Sequence, residues 1–310
     1  MWDSPVGGNL VLDASDLRVD FDIRHIPDFS RATFTIYNLN NETITSLMSE
    51  GLYVTLKVQL HDGEVQLLAD KFYVNNAVDE LILPERVTTL YCFDRLRSTF
   101  LEKQVSVPVK NFPNLKDMID KLMQSATYGA ARDNEFKSFP SGRVYQPCRR
   151  PTRLLNGSVQ QCLRRLEKEF RFYTYTSNGR FIYMHLPDEG TARKTSLATK
   201  KPDIVLSTRS MRSNPKIGIA SCTIHNNLDG RITPTSVLDL SQLLTIAVSE
   251  NQETLTLVKN YLKNFSNNTI YQAFAVNHSG SNYTADWSTR ITGLSPTRGK
   301  NMPTGVNWMK

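Results

Sequence analysis

Long apolar runs are absent from these 310 residues. None approaches the roughly 20 residues that a spanning helix needs, which excludes insertion of this chain into a membrane as a helix. The opening residues 1–17 have no basic segment followed by an apolar one, so no secretory signal is expected. The Asn-x-Ser/Thr sequons, among them those at Asn41, Asn156, Asn267, Asn277 and Asn282, then carry no glycosylation meaning. Cysteine is scarce: Cys92, Cys148, Cys162 and Cys222 lie far apart and form no CxxC pair. A zinc site or disulfide framework needs clustered spacing, so the thiols read as reduced. None of the five histidines, His25, His61, His185, His225 and His278, sits in HExxH or beside a second ligand at helical spacing. The motifs GxSxG, GxxxxGK[ST] and a helix-opening GxGxxG are missing as well. The expectation is no catalytic residue, no cofactor and no metal.

What is present is ordinary in bulk and uneven along the chain. The apolar fraction of 40% and charged fraction of 22% suit a globular protein of two or three domains. Residues 1–94 hold 6 Lys/Arg and 15 Asp/Glu, net −9, whereas residues 95–310 hold 31 and 15, net +16. Charge segregated in this way suggests different partners for different domains. Eight Lys/Arg fall between Arg143 and Arg171, and seven between Thr191 and Lys216. Arg149, Arg150, Arg153, Arg164, Arg165, Arg209 and Arg212 are read as protein-interface residues. Phosphate neutralisation is the weaker reading, because no recognised nucleic-acid motif accompanies them.

Periodicity divides the chain into mainly β ends and a mixed middle. Segments 17–23, 31–37, 52–60, 65–74 and 87–93 alternate as strands, and a short helix capped by Asn41 fits residues 41–48. Short strands at regular spacing predict a small β-barrel over residues 1–97. Residues 98–190 read as α+β. A stripe at Leu115, Met118, Ile119, Leu122 and Met123 predicts one helix, a second runs over 158–170, and Ser177-Asn178-Gly179 joins a hairpin. Residues 191–295 repeat the β-rich layout, with strands at 217–224, 237–248, 270–278 and 287–292 and a helical stripe from Leu255 to Phe265. The polar residues 296–310 form a tail. An alternating strand turns one face inward, so Val54, Leu56 and Val58 are expected to fill the first barrel, and Phe274, Val276 and Ile291 the second.

Three stretches carry a family resemblance: RATFTIYNLNNETITSLMSEGLYVTLKVQL (31–60), LNGSVQQCLRRLEKEFRFYTYTSNGRFIYM (155–184) and YQAFAVNHSGSNYTADWSTRITGL (271–294). Their order resembles the baseplate or tail hub proteins of tailed bacteriophages, relatives of the hub portion of type VI secretion spike proteins and of the phage late-control family. The sequence departs at Pro234-Thr235-Ser236, where the family has Pro-Gly, and in its Arg-rich 142–153 loop. The resemblance implies a structural virion protein of the tail tip, assembled in the host cytoplasm. It implies a homotrimer whose six barrels join the tail tube protein to a central spike protein. Baseplate and tape-measure proteins would be neighbours, and genomic DNA would pass through the lumen. Acidic Asp62, Glu64, Asp79, Glu80 and Glu85 are then expected to face that lumen, because like charge keeps phosphates off the wall. A wall-degrading tail hydrolase and a free DNA-binding protein are the alternative readings.

Overall fold

The computed structural model describes residues 2–3, 9–10, 17–27, 29–48, 51–60, 63–97, 102–110, 115–126, 152–170, 172–185, 202–217, 221–243, 269–284 and 286–294. The first third holds β1 (Trp2–Asp3), β2 (Asn9–Leu10), β3 (Val19–His25), β4 (Arg31–Tyr37), α1 (Asn41–Leu47), β5 (Tyr53–Gln59), β6 (Val65–Ile82) and β7 (Glu85–Asp94). The middle holds β8 (Gln104–Lys110), α2 (Leu115–Ala126), β9 (Thr152–Ser158), α3 (Val159–Phe170), β10 (Phe172–Ser177) and β11 (Arg180–His185). The last third holds β12 (Ile204–Val205), β13 (Met211–Ile217), β14 (Ser221–Asn227), β15 (Val237–Asp239), β16 (Ile270–Ser281) and β17 (Ser288–Leu294). The fold is mainly β. No helix among the described residues is long and apolar enough to cross a membrane.

The two β-rich ends are one sheet. Its order is β13-β14-β17-β16-β3-β4-β7-β6-β5-β1-β2, with β15 beside β16 and β12 beside β15. The junction is the antiparallel pairing of β16 with β3, from Val276 opposite His25 to Ser281 opposite Asp20. Among the described residues the sheet stays open, and no closed barrel forms. The first half curls instead. Lys71 takes a positive φ of 50° within the long β6, and the pairing of β5 with β6 slips twice near it. Such irregularities bend a strand and strengthen its twist. Residues 65–73 of β6 can then pair with β5 while residues 72–82 pair with β7.

The cores follow the alternation. Val54, Val58, Leu68 and Phe72 pack with Phe21, Ile23, Phe34, Ile36 and Leu90, and α1 adds Ile44 and Leu47. Leu56 packs against this core partly buried. The cap of α1 is Asn40, whose Oδ1 accepts the Thr43 N–H at 2.8 Å, rather than Asn41, which is already helical. The second half has its own core of Cys222, Ile224, Leu238, Tyr271, Val276 and Ile291. Phe274 corrects the expected set. The pairing with β17 slips between Ala273 and Ala275, so the alternation changes phase, and Phe274 packs instead with Tyr175, Ile182 and Leu294.

The middle forms a third core, in which α2 and α3 cover the β8–β9 ribbon through Met118, Ile119, Leu122, Cys162, Leu163 and Leu166. Both helices match their stripes. Strand β8 alternates through Val105, Val107 and Val109 but is not among the predicted strands; β9 has no clear alternation and lies partly in the stretch read as loop. The stripe at 255–265 and the residues 296–310 lie outside the described residues.

Candidate functional site

Each strand at the centre of the sheet has a buried and an accessible side, and each side gathers a set of polar groups. On the buried side, the ends of β3, β4 and β7 meet the tip of the β10–β11 hairpin. Asn178 and Gly179 both have positive φ, 52° and 71°, as a two-residue hairpin turn of the primed type requires. That turn lets the Gly179 N–H reach Asp94 Oδ2 at 2.9 Å and Asn178 Oδ1 accept the Asp70 N–H at 3.1 Å. Asp94 is fully buried, and burial pushes its carboxyl up to about 6 against the opposing pull of the Gly179 and Leu96 N–H groups that bond to it.

Beside it stand two buried histidines, one from each end of the chain. The rings of His25 and His278 are 5.7 Å apart. His25 Nδ1 lies 2.7 Å from Ser30 Oγ and 3.1 Å from Ser177 Oγ. The Ser30 hydroxyl donates to the Thr176 carbonyl, which leaves its oxygen to accept, so the proton sits on His25 Nδ1. His278 Nδ1 lies 3.0 Å from Thr289 Oγ1, which itself accepts the Asp229 N–H at 2.9 Å. Thr289 Oγ1 thus links the His278 ring to the Asp229 backbone. Burial lowers His25 to about 3, with His278 adding to the shift, and burial lowers His278 to about 4. Both rings are neutral at pH 7. This seam locks the two ends and the middle together; its groups are mutually satisfied, and it offers no reacting group to a substrate.

The accessible side is the stronger candidate. Strand register aligns His225 of β14, Arg290 of β17, Asn277 of β16, Arg24 of β3, Arg31 of β4 and Phe93 of β7 in one row. A parallel row runs through Ser288, Ser279, Asp22, Thr33 and Tyr91. A half-open depression of about 310 Å³ lies where the rows pass, lined by Asp22, Arg24, Arg31, Thr33, Tyr91 and Phe93. Arg24 is held by Asp22 at 2.6 Å. Arg31 and Arg290 are exposed. At the end of the row Arg97 stacks over Phe93 at 3.8 Å and over Phe29 at 4.2 Å. At the other end burial, then Arg290 and Arg212, lower His225, against a weaker opposing pull from Asp286.

The residues singled out in the sequence scatter around this face. Glu64 and Glu80 are exposed. Glu85 lies 3.8 Å from Arg18. Asp79 turns to the other side of its ribbon, where Arg86 grips it with contacts down to 2.6 Å and Thr88 donates at 2.9 Å; the hydrogen bonds from Arg86 hold its carboxyl below the usual range. Arg164, Arg165 and Arg209 are exposed, and Arg212 pairs with Asp286. Asp62, Arg149 and Arg150 lie outside the described residues; Arg153 falls in β9. Val54, Val58, Val276 and Ile291 are buried. The row of Arg24, Arg31 and Arg290 escaped sequence reading. Outward parity on an alternating strand was its only signal, and the pairing that aligns the three joins segments from opposite ends of the chain.

No protein-family model matches the chain, and no curated protein matches it in sequence. Solved structures do match its backbone. A component of the Escherichia coli type VI secretion system, c3393, described as structurally similar to T4 bacteriophage tail proteins gp27 and gp5, superposes with a TM-score of 0.53 at 9% identity, over 92% of this chain and 74% of that one. The 43 kDa tail protein of prophage MuSo2 from Shewanella oneidensis gives 0.52 at 8%, over 91% and 98%. This chain has the fold of a phage tail protein. A tail protein from Neisseria meningitidis MC58 agrees, with 0.50 at 9% over 89% and 91%. At such identities the tail-protein fold is kept by the alternation and by the order of the strands, with few side chains in common.

Proposed function

We propose that the chain is a structural hub protein of a phage tail, acting as a homotrimeric ring between tail tube and central spike. The observation that carries this reading is the β3–β16 junction, which makes the two ends of the chain neighbouring parts of one open sheet. An open sheet presents unpaired strand edges, and pairing them with another copy removes the liability. Contacts of this head-to-tail kind close into a ring when the rotation fits. Three copies would then place six similar β units around a channel, two per chain from residues 1–97 and 191–295, with residues 98–190 packed against them. The role is scaffolding, with the tube, spike and baseplate proteins as neighbours and no chemistry performed.

In such a ring the accessible side of β3, β4, β7, β16 and β17 is the lumen wall. Asp20, Asp22, Glu80 and Glu85 would supply its negative charge, and the exposed arginines of α3 would face protein neighbours. Light scattering after gel filtration tests the stoichiometry: the expected species has three times the 35.2 kDa chain mass and appears as a ring in electron micrographs. A monomer at every concentration, or a twofold dimer, overturns the reading.

A further inference from the structure

The wall just described is not uniformly acidic, and the exception is ordered. Residues 1–94 contain six Lys/Arg in all, and two of them, Arg24 and Arg31, stand side by side on the accessible side, directly paired across β3 and β4. The last third of the chain adds Arg290 to the same row, one strand beyond Asn277. Adjacent strands are about 4.8 Å apart, so the three guanidiniums are rooted over roughly 15 Å. Among the described residues neither Arg31 nor Arg290 has a carboxylate partner. The row also has a direction. It runs across the strands, and in a sheet closed edge to edge that is the way around the circumference. Copies of the row would therefore lie at one height and form a girdle rather than a track along the channel.

We infer that Arg24, Arg31 and Arg290 form a cationic girdle that contacts the phosphate backbone of DNA passing the hub; this rests on the lumen reading above. Guanidinium matches phosphate in charge and in two-pronged hydrogen-bond geometry, and such contacts are blind to sequence. The neighbouring row of Ser288, Ser279, Asp22 and Thr33 keeps the contact shallow. Asp22 offsets one of the three cations, and the acidic positions further along the wall repel. The girdle thus holds DNA at one level and lets it go at the next.

The test measures binding of a fluorescent mixed-sequence duplex to the intact protein over a range of salt, beside an Arg24→Gln/Arg31→Gln/Arg290→Gln variant. A charge-matched Lys57→Gln/Lys121→Gln/Lys168→Gln variant removes three exposed cations elsewhere. Each phosphate contact contributes about 0.9 to the slope of log affinity against log salt. The arginine variant is expected to lose roughly 2–3 of that slope and the lysine variant less than about 1. Equal losses, no loss in the arginine variant, or no binding by the unaltered protein overturns the girdle. Binding of poly-glutamate through the three arginines without binding of duplex also overturns it, in favour of an acidic protein segment. Thermal melts confirm folding, and light scattering on the same samples separates the two proposals. A trimer whose slope is insensitive to the arginines removes the girdle and keeps the ring; a monomer whose slope depends on them removes the ring and keeps the phosphate contacts.

Discussion

On one side of β3 stand Phe21, Ile23 and His25, all buried; on the other stand Asp20, Asp22 and Arg24, all reached by solvent. The two sides solve different problems. On the buried side Asp94 and the two histidines are each held by hydrogen bonds, because an unpaired polar group away from water costs several kcal/mol. Its two histidines stay neutral and spend their nitrogens on hydroxyls of β10, β17 and the loop before β4. The accessible side leaves cations unpaired at no such cost. Charge in this protein is thus sorted by the face of the strand more than by position along the chain, which is why net charge by segment gave an acid-only wall and missed the arginine row.

The sharpest way to break the contrast is to put one charge on each side. Ile224 is fully buried in the second core, and Ile224→Asp should cost about 4 kcal/mol or more, seen as loss of cooperative melting. Thr223→Asp, the next residue on the accessible side, should cost under about 1 kcal/mol. Similar losses at both positions would show that the faces are not distinct.

Acid probes the buried side alone. With His25 held near 3 and His278 near 4 against 6.5 in the free side chain, the unfolded chain binds protons that the folded one refuses between those values. Stability is then full above about pH 6.5 and falls as pH drops through the window, by up to about 1.4 kcal/mol per pH unit per histidine. Asp94 works in the opposite sense: raised to about 6, it binds its proton first in the folded state and adds stability as pH falls from 6 towards 3.8. The urea midpoint should drop between pH 7 and 4.5, and a His25→Gln/His278→Gln double variant, though weaker at pH 7, should show a flatter profile. A flat profile in the unaltered protein would contradict the neutral seam.

The smallest effect concerns the fit of β16 onto β3. A methyl at Gly280 would sit 2.8 Å from Phe21 Cζ, so the buried ring must move. Gly280→Ala should cost about 1–2 kcal/mol in denaturant unfolding, and Phe21→Leu in the same chain should return part of it. No loss on Gly280→Ala would mean that the junction is looser than described.

Much of the fold could be read from spacing. Helices α2 and α3 follow their stripes because each covers one apolar surface, and β3, β4, β5 and β7 alternate because only one side of each is buried. Phe274 could not be read, since a bulge changes phase without leaving a mark in the pattern. Neither could the 18-residue length of β6, where residues 73–82 belong to a ribbon with little burial on either side. The candidate site was hidden for a further reason. His25 and His278, or Arg24 and Arg290, are unremarkable singly and acquire meaning only through a pairing between distant segments.

That pairing also sets a timetable. The Val19 N–H bonds to Asn282, 263 residues later, and the whole β3–β16 junction spans a similar separation. At a synthesis rate of about 5–20 residues per second, β3 waits roughly 15–50 s with one edge uncovered after it leaves the ribosome. Contacts this remote are slow to form, and until β16 arrives the same edge is open to strands of other chains. A nascent chain therefore depends on its own C-terminal strands to stop it from joining a neighbour in the wrong register, and a chain truncated before Ile270 would keep that edge open permanently.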